Sequence, residues 1–268
     1  MEWFEALILG LVQGLTEFLP VSSSGHLAIG KALFGIETAD LSFEVAVHAA
    51  TVLATLVVFW KDIVKLLQGL FRFQWNPETR YILLLVLSMV PVFVVGMFFK
   101  DYVEDIFGSG LLVVGVALIV TALLLFLSET LAARRGGEGS QMNWKSALWM
   151  GLAQAVAVIP GLSRSGTTIA TGLMSGVRRT EMAQFSFLMV LVPIIGEQFL
   201  DIVGSLKDTG EFFSGTISPL CLALGFLTAF ASGLLACKAM VALVKKSKLS
   251  WFAIYCLVVA VLIFIFGR

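Results

Sequence analysis

Residues 13–26 read Gln13-Gly14-Leu15-Thr16-Glu17-Phe18-Leu19-Pro20-Val21-Ser22-Ser23-Ser24-Gly25-His26. An amide, a carboxylate, three serine hydroxyls and an imidazole gather around a proline that breaks a helix, within a chain that is otherwise mostly hydrocarbon. At membrane depth such groups are costly and need a protein-lined cavity or a functional reason. The layout returns 141 positions later as Gly151-Leu152-Ala153-Gln154 and Pro160-Gly161-Leu162-Ser163-Arg164-Ser165-Gly166-Thr167. Gly10, Leu11, Gln13, Ser22, Ser24 and Gly25 align without gaps on Gly151, Leu152, Gln154, Ser163, Ser165 and Gly166. Two polar breaks in matching places predict one site assembled from two halves.

The rest of the chain sets these breaks in a membrane. Of 268 residues 59% are hydrophobic and 13% charged, against about 25% charged in a soluble domain, and mean hydropathy is +0.97. A crossing takes about 20 largely apolar residues, and 43–60, 80–99, 110–128, 184–203, 218–240 and 250–267 approach or meet that length. Segments 3–19 and 145–159 instead run into Pro20 and Pro160, and the pieces beyond them, 25–34 and 166–175, are short. Each pair reads as a re-entrant hairpin, entering and leaving by one face. Residues 1–5 lack the basic stretch of a signal peptide, so the first segment is expected to be retained.

Basic connections mark the cytoplasmic side. Lys61, Lys65, Arg72 and Arg80; Arg134, Arg135 and Lys145; Arg178 and Arg179; and Lys238, Lys245, Lys246 and Lys248 place 61–80, 129–145, 176–183 and 241–250 inside. The mixed charges of Lys100, Asp101, Glu104 and Asp105, and of Lys207, Asp208 and Glu211, place 100–109 and 204–217 outside, together with 35–42 and both termini. A hairpin plus three crossings in each half then turns the second half upside down. The expected fold is an all-α polytopic membrane protein made of two inverted-topology repeats, about 1–130 and 142–268, in one membrane domain. The Gly-rich stretch Arg134–Ser140 joins them. Zero net charge gives no sign of a nucleic-acid partner.

Gln13 and Glu17, four apart, share a helix face and could ligate a hard cation such as Mg²⁺ or Ca²⁺, which prefers oxygen donors. One carboxylate is too few for a protein cage, so such a cation would be held mainly by water and phosphate oxygens. Glu44 and His48 also share a face and are expected as a second layer around the site, or as a packing pair. Ser22, Ser23, Ser24 and Gly25, and Ser163, Arg164, Ser165, Gly166 and Thr167, open new helices after the two breaks, where free N–H groups seat a phosphate. Arg164 adds a guanidinium fork suited to the same group. Cys221, Cys237 and Cys256 lie in apolar pattern and read as small buried hydrophobes.

These two motifs resemble the bacterial undecaprenyl-diphosphatase family associated with bacitracin resistance, and the similarity runs through nearly the whole chain. The resemblance implies a phosphoanhydride hydrolase that converts undecaprenyl diphosphate to undecaprenyl phosphate and inorganic phosphate. This recycles the lipid carrier for peptidoglycan and confers bacitracin resistance. It also implies a multi-pass protein of the bacterial cytoplasmic membrane with a site open to the periplasmic face. Its partners would be the lipid substrate and bilayer lipid, with a homodimer left open. Glu17, Ser22, Ser23, His26, Ser163, Arg164, Ser165 and Thr167 fall on the family's motif positions; Gln13 stands where some members carry a second glutamate. Ser23 is the expected nucleophile and His26 the acid/base. A phosphoenzyme on His26, or water attack with His26 or Glu17 as base, stays open. On architecture alone, a lipid or anion transporter is the alternative.

Overall fold

The computed structural model describes residues 1–36, 42–99, 110–136, 139–196, 199, 203, 217–246 and 248–267. Its helices are α1 (Trp3–Phe18), α2 (Ser23–Phe34), α3 (Ser42–Val58), α4 (Trp60–Leu70), α5 (Pro77–Phe98), α6 (Leu111–Arg135), α7 (Trp144–Val156), α8 (Arg164–Met174), α9 (Arg179–Met189), α10 (Pro219–Lys246) and α11 (Ser250–Phe266). The expected outer connections 35–42, 100–109 and 204–217 lie largely outside the described residues, including the charges from Lys100 to Asp105 and from Lys207 to Glu211.

Both polar breaks are hairpins. Leu19, forced away from helical geometry by Pro20, is extended at φ −73° and ψ 145° and ends α1. The chain then turns back, so that Gly30 of α2 lies against Leu9 of α1; a Cβ at Gly30 would come within 2.6 Å of Leu9 Cδ2. In the second break Gly172 of α8 lies against Met150 of α7, with 3.0 Å from a Cβ there to the sulfur. Met150 stands 141 positions after Leu9.

Each hairpin packs on a helix from the other half of the sequence. Gly10 and Gly14 of α1 form a small-xxx-small stripe that lets backbones approach closely. A Cβ at Gly10 would be 2.5 Å from Gly225 O, and one at Gly14 2.4 Å from Ala229 O, both on α10. Gly151 of α7 meets α5 in the same way, 2.4 Å from Ser88 O. Helices α6 and α11 pack on one another. Gly14→Ala is therefore expected to destabilise the protein by about 1–3 kcal/mol through overpacking. Thermal unfolding in detergent reads this out, with Gly96→Ala, where a Cβ meets nothing within 4 Å, as the control that holds its midpoint or raises it.

Three of the connections expected inside are joined in space. The Arg179 guanidinium binds Glu129 at 2.6 and 2.9 Å, and Leu249 N donates to the same carboxylate at 2.7 Å. Ser140 pairs with Gly176 and Arg178 through backbone bonds of 2.8 and 3.0 Å, and Arg178 pairs with Glu181. The three cysteines are buried and free.

The crossings match the sequence expectation at 80–99, 110–128 and 218–240 and differ elsewhere. Among the described residues α5, α6 and α10 are long and apolar enough to span a membrane, and α3 with α4 makes a fourth only as a pair bent by 70°. The basic 61–80 connection is thus largely helical, with Lys61 and Lys65 on α4. Helix α11 has 17 residues, at the lower end of the roughly 17–25 that span hydrocarbon. The 184–203 stretch is divided: α9 ends at Met189, four residues before Pro193, whose ring clashes with that carbonyl in a continuous helix. Residues 191–196 are helical again.

Candidate active site

The hairpin tips meet, and Glu17 is the junction. Its Oε1 accepts from Arg164 of the opposite break at 2.9 Å. Its Oε2 accepts from Gln13 Nε2 at 2.9 Å and from the Ser23 hydroxyl at 2.5 Å. His48 Nε2 stands 3.9 Å from the same oxygen, held there by an Nδ1 bond to Glu44 O of 2.8 Å. The Glu17 side chain is only 9% exposed, so a lone carboxylate would be costly there. Three hydrogen bonds, one of them from an arginine, are what keep it in place.

Two serines in equivalent positions build the helix starts around this junction. Ser22 caps α2, accepting from Gly25 N at 3.2 Å, and Ser163 caps α8, accepting from Gly166 N at 3.0 Å. Ser22 holds a φ of +72°, unusual for a residue with a side chain and found mainly where the surroundings enforce it. Gly161 has φ +81°, and a Cβ there would sit 2.7 Å from Val114 Cα of α6; only glycine meets both demands. Further bonds fasten the breaks together: Ser165 Oγ donates to Leu19 O at 3.0 Å and Gly161 N to Ser24 Oγ at 3.4 Å.

The expected residues thus fall into groups. Gln13, Glu17, Ser23, Arg164 and His48 converge on one carboxylate. Ser22, Ser24, Gly25, Ser163, Ser165 and Gly166 form the frame, and Thr167 is buried with its hydroxyl unpartnered. The Glu44 side chain turns to an ion pair with Lys31 of α2, so His48 reaches Glu17 and Glu44 supports it through its backbone. His26 does not bond to Ser23: its Nδ1 bonds to Ser22 O and its Nε2 to Tyr255 of α11, each at 2.8 Å.

Other residues join the site that were not among the expected site residues. A cavity lined by Glu17 and Arg164 also takes in Thr51, Gln154, Thr168 and Ser186. Gln154 is 1% exposed, and neither polar atom of its amide has a partner. It stands 141 positions after Gln13, so the repeat offset itself was the signal. Tyr255 had a fainter one, as the single tyrosine in the apolar run of α11.

Among the described residues no three His, Cys, Asp or Glu side chains converge on a metal position. The free oxygen donors include Gln13 Oε1 and Gln154 Oε1, both buried and unpartnered, and the lone pair left on Glu17 of the ~4 that a carboxylate carries. That set fits a hard cation arriving with most of its shell as water and phosphate oxygens, and does not fit an all-protein cage.

Fold and site together define a polytopic helical membrane protein whose two broken hairpins join a carboxylate, a serine and an arginine at one point. Sequence comparison gives this architecture a family. The chain belongs to the bacitracin resistance protein BacA family, whose profile matches residues 6–262. It is 58% identical over 257 residues to the undecaprenyl-diphosphatase of Parabacteroides distasonis, covering 96% of this chain and 95% of that one. It is 57% identical over 262 residues to that of Bacteroides fragilis, covering 97% of each. The undecaprenyl-diphosphatase of Methanobrevibacter smithii is 37% identical over 279 residues, covering 98% of this chain and 97% of its own.

Proposed function

We propose that this protein hydrolyses undecaprenyl diphosphate to undecaprenyl phosphate and inorganic phosphate. The observation that carries it is the Glu17 junction, where a serine hydroxyl, its proton acceptor and an arginine from the opposite half stand within bonding distance. Phosphoryl transfer asks a protein mainly for positioning and charge stabilisation. Arg164 gives one N–H to Glu17 and has others in its fork for phosphate oxygens. Ser23 Oγ attacks the terminal phosphorus as its proton passes to Glu17 Oε2. The bond to the bridging oxygen breaks, and undecaprenyl phosphate leaves. Water then attacks the phosphoserine, with His26 taking the water's proton; the P–Oγ bond breaks as Glu17 returns its proton to Ser23 Oγ, and phosphate is released. A divalent cation held by the diphosphate, Gln13 Oε1 and Glu17 would neutralise phosphate oxygens.

We also read the two hairpins as the centres of inverted repeats, about 1–130 and 142–268. The reciprocal packing of α1 on α10 and α7 on α5, and the matching caps Ser22 and Ser163, support it. The basic cluster joining 129–145, 176–183 and 248–250 supports a cytoplasmic end. The site then opens toward the outer face of the cytoplasmic membrane, where it meets the lipid from the bilayer.

Purified protein in detergent is expected to release phosphate from undecaprenyl diphosphate, to lose that activity with a chelator, and to regain it with added Mg²⁺ or Ca²⁺. Full activity in chelator would remove the cation from this scheme. Lipid flux without phosphate release would replace the hydrolase with a carrier.

A further inference from the structure

We propose that Tyr255 is a positioning residue for His26, tying the last helix to the first hairpin so that the imidazole is set in one tautomer and one plane. This rests on the role given to His26 above. The ring's two nitrogens have different partners. Nδ1 lies 2.8 Å from Ser22 O, and a carbonyl only accepts, so Nδ1 carries the proton. In the neutral ring Nε2 is then an acceptor, and the partner it finds at 2.8 Å is the Tyr255 hydroxyl, which donates. The two rings are also near parallel, 9° apart with centroids at 5.6 Å.

Neither contact is a by-product of filling a core. Tyr255 is 45% exposed, and it comes from a helix 229 positions away in sequence, so its ring is not held against His26 by enclosure in a core. Holding the second nitrogen of a working histidine is a recurrent way to fix which nitrogen acts. Here the division of labour is definite: Ser22 O fixes the proton on Nδ1, and the phenol keeps the Nε2 lone pair aimed and unprotonated until water takes the place of the hydroxyl. Ser22 is also the residue with φ +72°, so the strained cap and the phenol act on one ring from two sides.

Tyr255→Phe keeps the ring and removes the hydroxyl. It is expected to lower kcat about tenfold with KM within twofold, and to leave the thermal unfolding midpoint unchanged. In a double-mutant cycle, Tyr255→Phe added to His26→Gln is expected to cost nothing further, because the residue it positions is already gone. Unchanged kcat in Tyr255→Phe, a loss expressed in KM, or a second full loss on the His26→Gln background would each overturn the positioning role. Full activity in His26→Gln itself would overturn the His26 assignment, and the role of Tyr255 with it.

Discussion

Arg164→Ala is expected to lower phosphate release by about 10²–10³-fold, the usual cost of removing one preorganised donor from a developing phosphate charge. Arg164→Lys is expected to recover only part of this, since a point charge does not replace a planar fork. A simple loss of activity would be ambiguous, because Arg164 also neutralises Glu17, whose side chain is 9% exposed. Removing one partner of a buried ion pair commonly destabilises by about 3–5 kcal/mol. Glu17→Gln combined with Arg164→Ala separates the two effects. The double variant no longer buries an unpaired charge, so its unfolding midpoint is expected to rise above that of Arg164→Ala while phosphate release stays absent. If Arg164→Ala kept its phosphate release at saturating lipid, the guanidinium would be a structural counterion and the joined half-sites would not bind phosphate.

That pairing was half legible in the sequence. Glu17 and Arg164 were each conspicuous because an ionised side chain in an apolar segment needs a reason, and the offset between the breaks placed them in matching halves. What the residues could not convey was which partner each hydroxyl or imidazole would choose. Ser23 and His26 are three apart on α2, a spacing that allows a serine–histidine pair, yet the hairpin turn carries Ser23 to Glu17 and leaves His26 to a phenol on α11. Tertiary contact between segments far apart in sequence decided this, and periodicity along one helix holds no record of it. The same limit applies to Glu44 and His48: the shared face was read correctly, but Lys31 took the Glu44 carboxylate and left only its carbonyl for His48. Of the expected crossings, 80–99, 110–128 and 218–240 fall on α5, α6 and α10, whereas 184–203 departs for a local reason. A run of apolar residues from 184 to 203 looks continuous by hydropathy, and Pro193 interrupts it all the same.

The three adjacent serines supply the second test, because the structure gives each a different task. Ser22→Ala removes a helix cap and is expected to cost about 1 kcal/mol of stability, with some activity lost as the strained turn loosens. Ser24→Ala gives up a long 3.4 Å bond from Gly161 N and is expected to change phosphate release only a few-fold. Ser23→Ala is expected to reduce it by at least about 10³-fold, the scale on which a lost nucleophile registers in hydrolases, in a protein that still folds but with its unfolding midpoint lowered by the hydrogen bond that Glu17 gives up. The 2.5 Å bond to Glu17 is the physical basis for separating Ser23 from its neighbours. A hydroxyl that donates to a carboxylate already points its proton at the group that will accept it, so the transfer needs no further movement of either chain segment. Trapping with acid during turnover is then expected to recover phosphate bound to the parent protein and none bound to Ser23→Ala. If Ser23→Ala instead kept phosphate release within about tenfold while Glu17→Gln abolished it, the same short bond would have a different meaning. Ser23 would be holding Glu17 in place to activate water, and the diphosphate would be cleaved in one step.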